Sequence, residues 1–243
     1  MRALVLKEIR GFFSSVTGYL VIAVYLLINS AFLWVFPGDF NVLDGGYASL
    51  DELFLISPWV FLFLVPALTM RLFADEKKAG TMELLLTKPV TDLQIIGAKY
   101  LAAIFLIFIS LMPTLIYFWS VYQLGNPVGN IDTGGTWGSY LGLLFLASGF
   151  AAIGLFASSL TDNQIVAFLL AMFLCFFFYF GFDQMAAFEL FGAADLFILR
   201  LGINEHYLSM SRGVIDSRDL LYFLSLIVVF LLATQLVIQS RKW

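Results

Sequence analysis

IVAFLLAMFLCFFFYFGF, residues 165–182, carries no charged side chain. It is apolar along its whole length rather than at every second position. As a helix it extends about 27 Å at 1.5 Å per residue, close to the ~30 Å hydrocarbon thickness of a bilayer. In lipid every backbone N–H and C=O must be paired internally, which leaves helices and closed barrels. A barrel strand would alternate lipid-facing and lumen-facing residues. The run therefore reads as a membrane-crossing helix.

The same reading extends outward to residues 139–160, 93–122, 53–73 and 17–36 on one side and 220–238 on the other. Composition agrees. The 243 residues are 61% hydrophobic and 12% charged, against roughly 45–50% and about 25% for soluble domains. The excess is too large to hide in a core of this size. The expectation is an all-α polytopic membrane protein of six spans, a single transmembrane domain over residues 1–243.

Residues 1–15 interleave Arg2, Lys7, Glu8 and Arg10 with Leu4, Leu6, Ile9, Phe12 and Phe13. A signal peptide would place its charges first and its apolar run second. The pattern reads instead as an amphipathic helix on the membrane surface, or more simply as a basic flank orienting the first span. Span 2 contains Pro58 and Pro66, either of which can kink it. Span 4 contains Gly142, Ala147, Ser148, Gly149, Ala151, Ala152, Gly154, Ala157 and Ser158. Such small residues let membrane helices approach closely, so this span is expected to pack against protein. Capping boxes are expected at Ser49–Glu52, Thr91–Gln94 and Thr161–Gln164. Residues 123–138 read as a Gly-, Asn- and Pro-rich loop.

Ten of the 13 Lys and Arg residues fall on one side of this topology. The positive-inside rule puts that side, with both termini, in the cytoplasm. Eleven of the 17 acids fall on the other.

The chemistry this sequence excludes is broad. His206 is the only histidine and Cys175 the only cysteine. Neither a zinc-protease helix nor an internal disulfide can be built from them. The span interiors contain no Asp or Glu, and no His or Lys at mid-depth to activate a serine. Ion-coupled transporters keep an ionisable group in the bundle, and no buried charge is expected here. The absence argues against ion exchange of a small charged solute. There is no GxxxxGK[ST] loop, so energy for any uphill step must come from another chain. No cofactor, metal or nucleic acid is called for. The Phe176–Phe180 cluster can line a lipid-like path or face lipid itself.

The most informative polar stretch is ADEKKAGTMELLLTKPVTDLQIIGAK, residues 74–99. Gly80 separates a charged turn from residues 81–87, and Pro89 ends that piece. Met82, Leu84, Leu85 and Leu86 form an apolar set too short to span, fit for the interface or a partner's groove. An ordinary loop explains the pattern too, with Thr81 and Glu83 merely capping and charging a helix start.

Glu76, Gly80, Thr81, Glu83, Leu84, Leu85, Pro89 and Lys99 resemble the loop between the second and third spans of ABC-2 type permeases. The surface helix, six spans and long outer loop resemble that family too. The resemblance implies a permease subunit of an ABC transporter in a bacterial inner membrane. A short cytoplasmic coupling helix would dock on a separate ABC ATPase subunit. It also implies a second permease subunit, identical or not. A non-transporting scaffold and an ATPase-independent channel or scramblase remain as alternatives.

The outer segment 183–218 holds short apolar runs such as 196–201, which read as re-entrant or interfacial helices. The stretch from Asn204, Glu205, His206 and Tyr207 to Arg212 and Asp216 resembles gliding-motility-associated permeases of Bacteroidetes. His206 reads as an interfacial polar residue rather than a ligand.

Overall fold

The computed structural model describes residues 2–82, 91–189, 192 and 195–240. Among these there is no strand, and six helical stretches are long and apolar enough to cross a membrane. In chain order they are Gly18–Val35, Asp51–Lys78, Asp92–Leu124, Thr133–Leu160, Gln164–Ala187 and Ser217–Gln239.

Helix α1 (Arg2–Phe13) precedes α2 (Val16–Ser30), which runs into a π-helical turn over Ala31–Val35. A short α3 (Val42–Gly45) leads to α4 (Asp51–Thr69). The expected capping box there does not form. Leu50 is the cap residue, and the Ser49 hydroxyl accepts from the nearer Asp51 N–H at 3.0 Å. Neither Pro58 nor Pro66 interrupts α4. The break comes at Met70, after which α5 (Arg71–Lys78) continues the second span.

Helix α6 (Asp92–Leu111) starts at the one capping box that forms as expected, with Thr91 and Gln94 each bonding the other's backbone. A 3₁₀ turn at Met112–Thr114, around Pro113, joins it to α7 (Leu115–Leu124). Helix α8 (Thr133–Leu160) begins inside the expected loop, because the Asp132 side chain accepts from the Gly135 N–H at 2.9 Å. The cap supplies an acceptor for an orphan N–H and offsets the poor propensity of Gly134 and Gly135. Helix α9 (Gln164–Phe176) is capped by Asn163 rather than Thr161, whose hydroxyl only accepts from Asn163 N–H. After a π-helical turn at Phe177–Gly181 come, among the described residues, the short helices α10 (Phe182–Ala187), α11 (Asp195–Leu199) and α12 (Ile203–Met210). The last span, α13 (Ser217–Gln239), is capped by Asp216.

Helix α8 is the central post, packed against α4, α9 and α13. Its glycines set the spacing. A Cβ on Gly142 would lie 2.6 Å from Met210 Cβ, and one on Gly154 would lie 2.9 Å from Thr69 Cβ. Carbon pairs rest at about 3.5–4.0 Å, so only hydrogen fits at these crossings.

Proline in α4 creates a demand that α12 meets. Pro58 has no N–H, so the Phe54 carbonyl four residues earlier loses its helical donor. The Tyr207 hydroxyl donates to that carbonyl at 2.7 Å, and Tyr207 is fully buried. With Ile203 and Met210 also buried, α12 is inserted into the bundle rather than laid on it. Tyr207→Phe leaves a buried carbonyl without a donor. It is expected to lower stability by about 1–3 kcal/mol, read as a fall in the denaturation midpoint of the purified protein in detergent.

Candidate functional site

Helix α5 carries the first half of the motif-bearing stretch, and its two ends explain its shape. At its start the break after Thr69 frees N–H groups. Ser158 of α8 satisfies two of them, accepting from Phe73 at 3.0 Å and Ala74 at 3.2 Å while donating to the Met70 carbonyl at 2.8 Å. At its end Gly80 adopts a left-handed φ of 67°. The Gly80 N–H then reaches the Lys77 carbonyl at 3.1 Å, and the Thr81 N–H reaches the Glu76 carbonyl at 3.0 Å. This is the double bond pattern of a Schellman cap, which needs a left-handed residue that glycine tolerates best. The Thr81 hydroxyl donates to the same Glu76 carbonyl at 3.3 Å. Gly80 and Thr81 thus have a defined local role in ending α5.

The Glu76 side chain points the other way, into an ionic knot. Lys99 Nζ of α6 lies 2.9 Å from Glu8 Oε1 of α1, 3.0 Å from Glu76 Oε2 and 2.5 Å from the Leu72 carbonyl. Lys7 Nζ lies 2.9 Å from Glu76 Oε1. The Lys99 side chain is 3% exposed, Glu76 11% and Glu8 15%, whereas Lys7 is 57% exposed. The Phe73 ring closes one side, 5.1 Å from the Lys99 ammonium. Two cations and two anions balance, as charges removed from water require. Burial works to lower the Lys7 pKa, but the hydrogen bond and charge of Glu76 and the charge of Glu8 outweigh it and raise it above its usual value. The expectation of a bundle without buried charge is therefore corrected. Lys99 sits at one end of a span and is buried because two carboxylates and a carbonyl replace its water.

Other contacts add to the fastening of α5. Lys77 donates to the Ser159 carbonyl, and Gln164 of α9 donates to Asp75. Arg71 lies over the Phe12 ring of α1 at 5.8 Å. One eight-residue helix is thus held to α1, α6, α8 and α9 together.

Of the expected coupling residues, Glu76, Gly80 and Thr81 converge on the end of α5. Glu83, Leu84, Leu85 and Pro89 lie outside the described residues. Met82, just before them, is half-buried against the core. The sequence reading missed Glu8, Lys7 and Ser158 as partners of this site.

The residues expected on the outer side, Glu205, His206, Arg212 and Asp216, do not gather into one site. Glu205 and Arg212 are exposed. His206 places Nδ1 2.7 Å from Asp219 Oδ1 and Nε2 2.9 Å from the Arg200 carbonyl, with its ring stacked on Tyr222. Asp216 accepts from the Arg218 N–H at 2.9 Å, and that bond holds its carboxyl below the usual carboxylate range. These contacts fasten α12 and the start of α13.

The fold defines a multi-pass helical membrane protein, with α5 clamped by ion pairs and hydrogen bonds at one end of the bundle. The model of the ABC-2 family transporter proteins matches residues 40–241. The chain belongs to that family and is a membrane subunit of an ABC transporter. Among curated proteins none matches the chain. Membership implies an ABC ATPase as partner and, typically, a permease partner.

Proposed function

We propose that this subunit receives the stroke of a separate ABC ATPase through the segment that follows α5, and that α5 passes it on to the bundle. The observation that carries this reading is the clamping of α5. A displacement delivered to its C-terminal end at Gly80 and Thr81 acts at once on α1 and α6 through Glu76, and on α8 and α9 through Lys77, Asp75 and Ser158. The segment carrying Glu83, Leu84, Leu85 and Pro89 is the proposed contact with the ATPase, with Glu76, Gly80 and Thr81 at its root. The α5 end is then cytoplasmic, which the positive-inside rule supports, and the membrane is the bacterial inner membrane.

The pathway needs a second permease subunit, identical or not. Helix α4 is mostly buried but exposes Leu55, Trp59 and Phe63 on one stripe. Its neighbours α2 and α9 belong to the two spans least buried within the chain. This stripe is the proposed face toward the second subunit and the cargo. The residues Glu205, His206, Arg212 and Asp216 belong to the proposed outer re-entrant segment. Their resemblance to gliding-motility permeases suggests force or export in gliding as the cellular setting.

The test is ATP hydrolysis by the cognate ATPase reconstituted with this subunit in liposomes. Glu76→Gln is expected to keep the ATPase bound while lowering membrane-subunit-stimulated hydrolysis about fivefold or more, the scale of a coupling energy between sites. Unchanged stimulation would remove α5 from the relay.

A further inference from the structure

The cations of α1 divide into two sets. Lys7 is engaged by Glu76 and Glu8 in the knot. Arg2 and Arg10 are exposed and form no ion pair among the described residues. Arg2, Leu6 and Arg10 follow one another at four-residue spacing, so they share one stripe of the helix. Leu6 is itself exposed between the two guanidinium groups.

Beneath this stripe Arg2, Val5 and Leu6 form a groove with Leu101 of α6, about 370 Å³ in volume. Leu101 opens a second exposed stripe, Leu101, Phe105 and Phe108, that runs along a membrane-crossing helix. An occupant of this groove meets apolar side chains along its length and a guanidinium at its end. A free anion would leave the apolar floor bare, and a neutral amphiphile would leave the arginines unmatched.

We propose that the α1–α6 groove binds an anionic phospholipid of the leaflet in which α1 lies. The acyl chains run along Leu101, Phe105 and Phe108, and the phosphate meets Arg2 at the groove, while Arg10, two turns further along the same stripe, adds to the positive potential at the membrane surface. Basic residues at a membrane surface each favour anionic lipid by about fivefold, so the pair supplies about twenty-five-fold. Because α1 is tied to α5 through Lys7 and Glu76, and through Glu8 to the Lys99 that also holds Glu76, a lipid held here fixes the helix against which α5 is clamped. The inference rests on the membrane-spanning fold and not on ATPase docking.

The experiment is native mass spectrometry of the full chain in detergent, titrated with phosphatidylglycerol and with phosphatidylcholine of the same acyl chains. Wild type is expected to take up phosphatidylglycerol preferentially. R2Q/R10Q is expected to lose about twenty-five-fold in that affinity while its phosphatidylcholine uptake stays the same. Both arginines are exposed, so the variant keeps its fold, which a melting curve confirms. Leu101→Asn is expected to weaken both lipids. R212Q/R218Q, at the opposite end of the bundle, is expected to change neither. The proposal is overturned if R2Q/R10Q retains phosphatidylglycerol as wild type does, or if R212Q/R218Q lowers it equally. Displacement of the lipid by excess inorganic phosphate would assign the arginines to a free anion and overturn it as well.

Discussion

Lys99→Met is expected to destabilise the protein by about 3–5 kcal/mol, the usual cost of removing one partner from a buried ion pair. The loss has a specific origin. Methionine fills the aliphatic volume of lysine, so no cavity opens. What disappears is the cation between Glu8 Oε1 and Glu76 Oε2. Two mostly buried carboxylates are then left facing each other, with Lys7 alone to balance them. The Leu72 carbonyl also loses its 2.5 Å contact. A second variant isolates this cause. In Glu8→Gln/Glu76→Gln/Lys99→Met the carboxylates are gone too, and a buried ion network replaced by neutral groups is often as stable as the original. The triple variant should therefore recover most of the lost stability, measured as the denaturation midpoint in detergent. If it stays as unstable as Lys99→Met alone, the shape of Lys99 rather than its charge holds the junction.

Gly154→Leu is expected to cost about 3 kcal/mol, near the upper end for overpacking a filled interior. Even a methyl group at this position would lie 2.9 Å from Thr69 Cβ. Thr69 cannot swing aside freely, because its hydroxyl donates to the Val65 carbonyl at 2.9 Å. The remaining response is to separate α8 from α4. That separation would draw Ser158, one turn further along α8, away from the Phe73 and Ala74 N–H groups. The variant should thus lose function as well as stability. Leu141, on the exposed side of the same helix, tolerates Leu141→Phe without a comparable fall, which separates crowding from any change in hydropathy.

The spans were legible because lipid imposes a length and a composition that residues such as 165–182 satisfy without help from the rest of the chain. The packing of α8 was legible from its small residues for the same reason. Helix ends were read less well. Thr91 and Gln94 formed their box, whereas Asn163 displaced Thr161 and Ser49 bonded a nearer N–H. Several polar side chains stand close together at each helix start, and spacing alone does not say which takes the cap. The two proline positions in α4 were visible, but the donor that answers Pro58 is Tyr207, 153 residues from Phe54. The knot shows the same limit. Glu76 and Lys99 stood out through the family resemblance. Glu8 looked like any charge on a surface helix until the fold brought it 91 residues along the chain to Lys99.

The most direct test of the proposed coupling is co-purification of the cognate ABC ATPase with this subunit from detergent, comparing wild type with Glu83→Arg. Wild type should retain the ATPase and the folded variant should lose it. Equal retention by both would contradict the placement of the contact at the segment after α5, and no ATPase bound to either would contradict the coupling itself.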